Sequence, residues 1–142
     1  MIIRVFLNWI LKIFSLFTPF KRKRKIFLRD LAEAMARFEG FYSSDSRARR
    51  NHNPLNLKES PFRVGKDKDG FCIFKNNRIG WAAGLWDLSQ KKKGNTRTGL
   101  GPNSTIKDLI YIWTEDHKEE YLFYVIQRLG IDRNFRLKNF IE

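Results

Sequence analysis

The sequence predicts a mainly α domain, α+β in detail, with one small antiparallel β-hairpin or sheet after its first helix. Three observations carry this. Apolar residues recur at helical spacing in four separate segments after residue 25. Strand-like runs are confined to residues 55–75 and surround a turn rich in Gly and Asp. The 142 residues are 42% hydrophobic and 15% aromatic. That suffices for one core and is too little for two enzyme domains. We divide the chain into an N-terminal arm, residues 1–25, and a domain, residues 26–142.

The first helix of the domain is expected over 26–39. Leu28, Leu31, Ala32, Met35 and Phe38 form its stripe, and Gly40 is its left-handed stop. Residues 41–54 are polar and basic and read as a loop. Strands are expected at 55–58, 61–64 and 71–75, with GKDKDG (65–70) as a hairpin turn. A second helix starts near Asn77 or Arg78 and runs to about Gln90. Its stripe is Trp81, Leu85 and Leu88, with Ala82 beside it. Residues 91–103 form a basic loop. Thr105 and Asp108 stand at capping-box spacing and open a third helix that buries Ile106, Leu109, Ile110 and Trp113. A fourth helix over 117–129 turns Tyr121, Leu122, Val125 and Leu129 inward and stops at Gly130. A short last helix is expected after Asp132.

The net charge of +13 points to an anionic partner. Seven Lys/Arg and no acids fall in residues 1–25. The other 117 residues carry the remaining 21 of the 28 bases against all 15 acids, a net +6. In the arm, Arg4, Asn8, Lys12 and Ser15 share one helical stripe, and every other position from Ile2 to Phe17 is apolar. KRKRK, residues 21–25, follows directly. This pattern suits a helix lying on an anionic membrane surface. A short transmembrane anchor is the second reading, at a cost of about 3 kcal/mol for Lys12. Docking on a partner protein and a cleaved secretory signal are the others, and the signal lacks a small-residue cleavage site. No cofactor or metal is expected. The chain has one cysteine, Cys72, and two distant histidines, His52 and His117, which argues against a zinc site.

Glu39 stands out among the polar residues. It lies four, seven and eleven residues after Met35, Ala32 and Leu28, so it continues the apolar stripe. Desolvation there favours the protonated form. The carbonyl end of the helix disfavours the charge as well. A glutamate kept protonated near neutral pH is what general-acid cleavage of a glycosidic bond requires. The competing reading is a helix-end Glu turned to solvent. Residues 51–57, NHNPLNL, place three Asn amides in a Pro-bearing turn. Such groups suit sugar hydroxyls and N-acetyl amides, and they also suit a plain turn.

Together these segments resemble the lysozyme-like peptidoglycan-cleaving domains of phages and bacteria. Those domains are small relatives of the soluble lytic transglycosylases and goose-type lysozymes. The residues that carry the likeness are AMARFEG (34–40) with Phe41, NHNPLNL (51–57), FCIF (71–74), GWAAGL (80–85), TIKDLI (105–110) and YLFYVIQRLGI (121–131). Their order spans residues 30–131. Leu55 stands where that pattern has Gly. Residues 113–117 lack its Pro-rich stretch. The resemblance implies a lysozyme-like helical fold with Glu39 as general acid. It implies Asn53 and Asn56 along a saccharide groove and Tyr121 close to Glu39 as a further substrate-site residue. The implied partner is the glycan strand of peptidoglycan, cut at the β-1,4 bond between N-acetylmuramic acid and N-acetylglucosamine, by an enzyme held at the membrane face of the bacterial cell wall.

A glycoside hydrolase of either stereochemistry needs a second carboxylate, about 5–9 Å from the first. Asp45, Glu59, Asp67 and Asp69 are the candidates, and none stands out. A lytic transglycosylase dispenses with it. Two other functions compete. One is a nonenzymatic structural protein of a virion or membrane on the same fold. The other is a nucleic-acid-binding module, supported by KRKRK, Arg47 to Arg50 and Lys91 to Lys93. Nucleic acid is not the expected partner, because helix-turn-helix, zinc and aromatic-strand signatures are all missing.

Overall fold

A computed structural model describes Ile2 and residues 23–142. Apart from Ile2, the arm helix expected over residues 1–20 lies outside them. The described chain is mainly helical with one two-stranded antiparallel sheet, the class that the sequence predicts. Helix α1 spans Leu28–Phe38 and buries Leu28, Leu31, Ala32 and Met35. Asp30 accepts the Phe27 N–H at 2.9 Å and puts a carboxylate at the helix N-terminus, where the dipole favours it. At the other end, Gly40 adopts φ +79°. Its N–H reaches Arg37 O at 3.2 Å and the Phe41 N–H reaches Ala36 O at 3.0 Å, a Schellman closure. Glu39 is thereby the capping residue of α1.

The next segments correct the expectation. Residues 41–54 contain a single-turn helix, α2, Arg47–Arg50, started by Ser46 Oγ accepting from Arg49 N at 3.1 Å. Among the described residues only four form strands: β1 is Gly65–Lys66 and β2 is Cys72–Ile73, with Gly65 opposite Ile73 and Lys66 opposite Cys72. Residues 55–58 and 61–64 are not strands, and the hairpin begins inside what reads as its turn. Asp67 explains the shift. Its Oδ1 accepts from the N–H of Asp69 and of Phe71, both at 2.9 Å, and so closes the turn later in the chain. Leu55 and Leu57 are buried as their alternation suggests. The Leu57 C=O still accepts the Cys72 N–H at 2.8 Å, but its N–H goes to the Asn53 side chain where a strand partner would otherwise serve.

Helix α3, Asn77–Lys93, is capped by Asn76 Oδ1 accepting Ile79 N at 3.0 Å and ends at Gly94, φ +81°. Its buried face is Gly80, Ala83, Gly84 and Leu88. Of the expected stripe only Leu88 is buried; Trp81 and Leu85 are half-buried and Ala82 is exposed. The cause is a close approach to the turn at 52–55. A Cβ on Gly80 would lie 1.8 Å from His52 O, and one on Gly84 would lie 2.8 Å from Leu55 Cδ1. Leu55, 1% exposed, fills the space that Gly84 leaves.

Helix α4, Ile106–Trp113, opens with the expected reciprocal cap. Asp108 N donates to Thr105 Oγ1 at 3.1 Å and Thr105 N donates to Asp108 Oδ2 at 2.8 Å. Helix α5, Lys118–Leu129, buries Tyr121, Leu122, Val125 and Leu129 and ends at Gly130, φ +65°. The short last helix is a 3-10 turn, Leu137–Asn139. Helix α1 packs against α3 and α5, and α5 packs against α4. Ile141 then bridges back to the start of the domain, accepting from Leu28 N at 2.7 Å and donating to Ile26 O at 2.9 Å. Among the described residues no helix is long and apolar enough to cross a membrane.

Candidate active site

Glu39 sits at the junction of α1 with the 51–57 turn, α4 and α5. Its carboxylate lines a cleft of about 550 Å³ together with Asn56, Leu57, Phe71, Ile112 and Trp113. Tyr121 donates its hydroxyl to Oε1 at 3.1 Å, and Asn56 Nδ2 donates to Oε2 at 2.9 Å. The Trp113 side chain lines the same cleft beside them. Burial is the largest influence on this carboxyl and raises its pKa above the ordinary value; the polar groups of Asn56, Tyr121 and Trp113 oppose the rise only in part. The same burial, together with the negative charge of Glu39, lifts the Tyr121 phenol well above its usual range.

Each partner is placed by its own element. The Schellman closure ends α1 at Glu39 and keeps that residue in register with the buried stripe of Met35 and Ala32. Asn56 holds φ +49°, a left-handed conformation in which Asn is among the better tolerated residues. Tyr121 lies on the inner face of α5, and its ring packs 4.0 Å, centroid to centroid, from that of Phe38.

Tyr121, expected near Glu39, is brought to it, and Asn56, expected along the groove, lines the cleft and meets the same carboxylate. The Tyr121 ring is 1% exposed, so that residue meets the carboxylate and offers no open surface to a substrate. Asn53 is a correction. It is 0% exposed and its amide is fully spent. Nδ2 donates to Leu57 O at 2.9 Å and Cys72 O at 3.0 Å, while Oδ1 accepts Leu57 N at 2.9 Å. It builds the turn and does not line the groove.

The four candidate second carboxylates separate as well. Asp45 is exposed and is not part of the cleft wall. Asp67 is held below its ordinary pKa, first by the Phe71 N–H and then by the Asn51 amide, the Asp69 N–H and Arg47. Asp69 pairs with Arg47 at 3.0 Å. Glu59 does line the cleft, but it is paired with Lys66 and Arg63. Sequence reasoning missed Asp87, Glu115 and Asp116 on the cleft wall. It also placed Trp113 wholly in the core; the ring is half-buried against the core and lines the cleft as well, with Lys91 Nζ 5.3 Å from the centroid. A Trp at the end of an apolar stripe, carrying one polar atom, was the available signal.

No protein-family model matches the chain, and no curated protein or solved structure matches it. What the site can do thus follows from its own chemistry. Among the described residues, no group of three His, Cys, Asp or Glu side chains is placed to hold a metal ion. His52 Nδ1 lies 2.8 Å from Asn77 Oδ1, and His117 Nδ1 lies 3.4 Å from Glu120. The hydrogen-bond partners of Glu39 are all neutral. A desolvated carboxyl with neutral partners, open to a cleft, can give a proton to a bound group and take one back.

Proposed function

We propose that the chain is a peptidoglycan-degrading glycosidase of lytic transglycosylase type, with Glu39 as general acid and then general base. The supporting observation is the raised pKa of Glu39, caused by burial in a cleft wall among neutral donors. The order of segments from Ala34 to Ile131 that resembles the lysozyme-like family supports the same reading. In the reaction, Glu39 protonates the glycosidic oxygen as the C1–O bond of the muramyl unit breaks. The resulting carboxylate takes the proton of the C6 hydroxyl, whose oxygen closes on C1. The product is a 1,6-anhydro sugar, and Glu39 ends protonated. No second carboxylate is needed. This agrees with Glu59 and Asp87, two acids of the cleft wall, being engaged by Lys66 and Lys91.

The basic arm and the net +13 support work at an anionic wall and membrane face. The deciding experiment is mass spectrometry of muropeptides released from purified peptidoglycan by wild type and Glu39→Gln. The expected result is anhydro-muramyl products from wild type, reduced at least about 100-fold in the variant. Reducing ends would make the enzyme a hydrolase and turn attention to Glu115 and Asp116. No release by folded wild type would overturn the enzyme reading in favour of a structural role.

A further inference from the structure

Both side-chain hydrogen bonds to the Glu39 carboxylate come from donors: the Tyr121 hydroxyl and the Asn56 amide nitrogen. That set is complete for a carboxylate, which only accepts. A carboxylic acid needs an acceptor for its O–H; the Tyr121 hydroxyl oxygen can turn to serve at Oε1, but at Oε2 the Asn56 N–H meets it with none. Asn56 Oδ1 answers this need. It is buried and, among the described residues, has no hydrogen-bond partner. A half-turn about the last side-chain torsion exchanges Oδ1 with Nδ2, and that torsion is broad and two-fold. In Asn53 the same half-turn would break bonds at both ends of the amide. In Asn56 the far end holds nothing to break. Either orientation leaves one polar atom at the same unpartnered place, so the two costs nearly cancel. The proton on Glu39 then decides between them.

We infer that Asn56 is a two-state positioning residue: it presents N–H to the Glu39 carboxylate and C=O to the Glu39 acid, rotating as the proton leaves and returns. The inference rests on the reading of Glu39 as a group that cycles its proton. It gives that cycle a bonded partner in both halves.

Other ionisable groups face the same cleft. From α5, Tyr121 stays protonated because burial lifts it far above its usual range. From α3, Asp87 and Lys91 pair at 2.6 Å. On the hairpin side Arg47 pairs with Asp69 and Glu59 with Lys66, beside Lys58. The turn between α4 and α5 adds Glu115 and Asp116. The titration must therefore be read at Glu39 itself.

The test is solution NMR of the full chain labelled with 13C and 15N. The Glu39 carboxyl carbon and the Asn56 side-chain amide are followed from about pH 3 to about pH 8. The expected result is that the Asn56 amide protons lose their hydrogen-bond shift, on acidification, at the midpoint of the Glu39 carbon. Glu39→Gln, which is neutral and carries an N–H, should hold Asn56 in its acid-form signal at every pH. Asn56 signals unchanged through the Glu39 midpoint would overturn the inference. A second measurement follows the Glu39 midpoint in Asn56→Gly, which suits φ +49°. Because Asn56 serves both forms, its loss should leave the Glu39 midpoint nearly where it stands in wild type. A clear upward move would mean that Asn56 serves the carboxylate alone, and would overturn the inference. Neither measurement uses substrate. A rotating amide with no muropeptide release would leave the switch standing and remove the glycosidase.

Discussion

Asn53 commits both ends of its amide to backbone groups, whereas Asn56, three residues later in the same turn, gives one end to Glu39 and leaves the other unpartnered. The first arrangement has a single low-energy orientation. The second has two of similar cost. One turn thus joins a fixed half, which sets where the cleft wall stands, to a half that can respond to a proton. The lesson is that satisfying every hydrogen bond buys rigidity, and leaving one unmade at a chosen place leaves room for chemistry.

The comparison breaks most visibly on the fixed side. Gly80→Ala puts a Cβ 1.8 Å from His52 O, a backbone atom that cannot swing away. The expected loss is about 3 kcal/mol or more in a urea melt. Asn53→Ala strands the N–H of Leu57 and the C=O of Cys72, while the C=O of Leu57 keeps the Cys72 N–H at 2.8 Å. It should cost about 2–3 kcal/mol by the same measurement. A loss below about 0.5 kcal/mol would mean that the turn does not depend on this amide.

The responsive side is sharpened by pH. Burial raises the Glu39 pKa in the fold, so between its ordinary value and the raised one the native state binds more protons than the unfolded chain. Stability from this group is therefore full below the ordinary glutamate value and is lost as pH rises through the raised one. Melting temperatures of wild type and Glu39→Gln should differ by a constant amount in acid. As pH climbs, the variant should gain on wild type. A difference that does not change with pH would show that Glu39 titrates as it does in the unfolded chain. The smallest effect is expected for Asn56→Gly. Losing the bond to Glu39 and relieving φ +49° should nearly offset, leaving a change within about 1 kcal/mol in the same urea melt.

Much of this was legible from local chemistry. Gly40, Gly130 and the Thr105–Asp108 cap act within one helical turn, so short windows reveal them. The desolvation of Glu39 followed from its register with Met35, Ala32 and Leu28. What stayed hidden depends on partners distant in the chain. The hairpin shifts because one carboxylate, Asp67, gathers two N–H groups. Helix α3 turns its glycines inward because the 52–55 turn lies against them, and a count of large apolar residues overlooks that face. Asn53 and Asn56 have the same side chain, and only folding shows which neighbours each one meets. Trp113 reaches Glu39 from the far end of α4, beyond the span of any periodicity.

The bridge between Ile26–Leu28 and Ile141 has a further consequence for how the domain can be built. Positions 26 and 141 are neighbours in space, so the order of segments along the chain is separable from their arrangement. A circularly permuted version, with a short linker from residue 142 to residue 26 and new ends opened in the exposed turn at residues 43–45, outside the cleft lining, should keep the cleft. In the natural order the N–H of Leu28 gains its partner only after residue 141 has been synthesised. The seam is a late, long-range closure during translation, and the permuted chain would turn it into a local one.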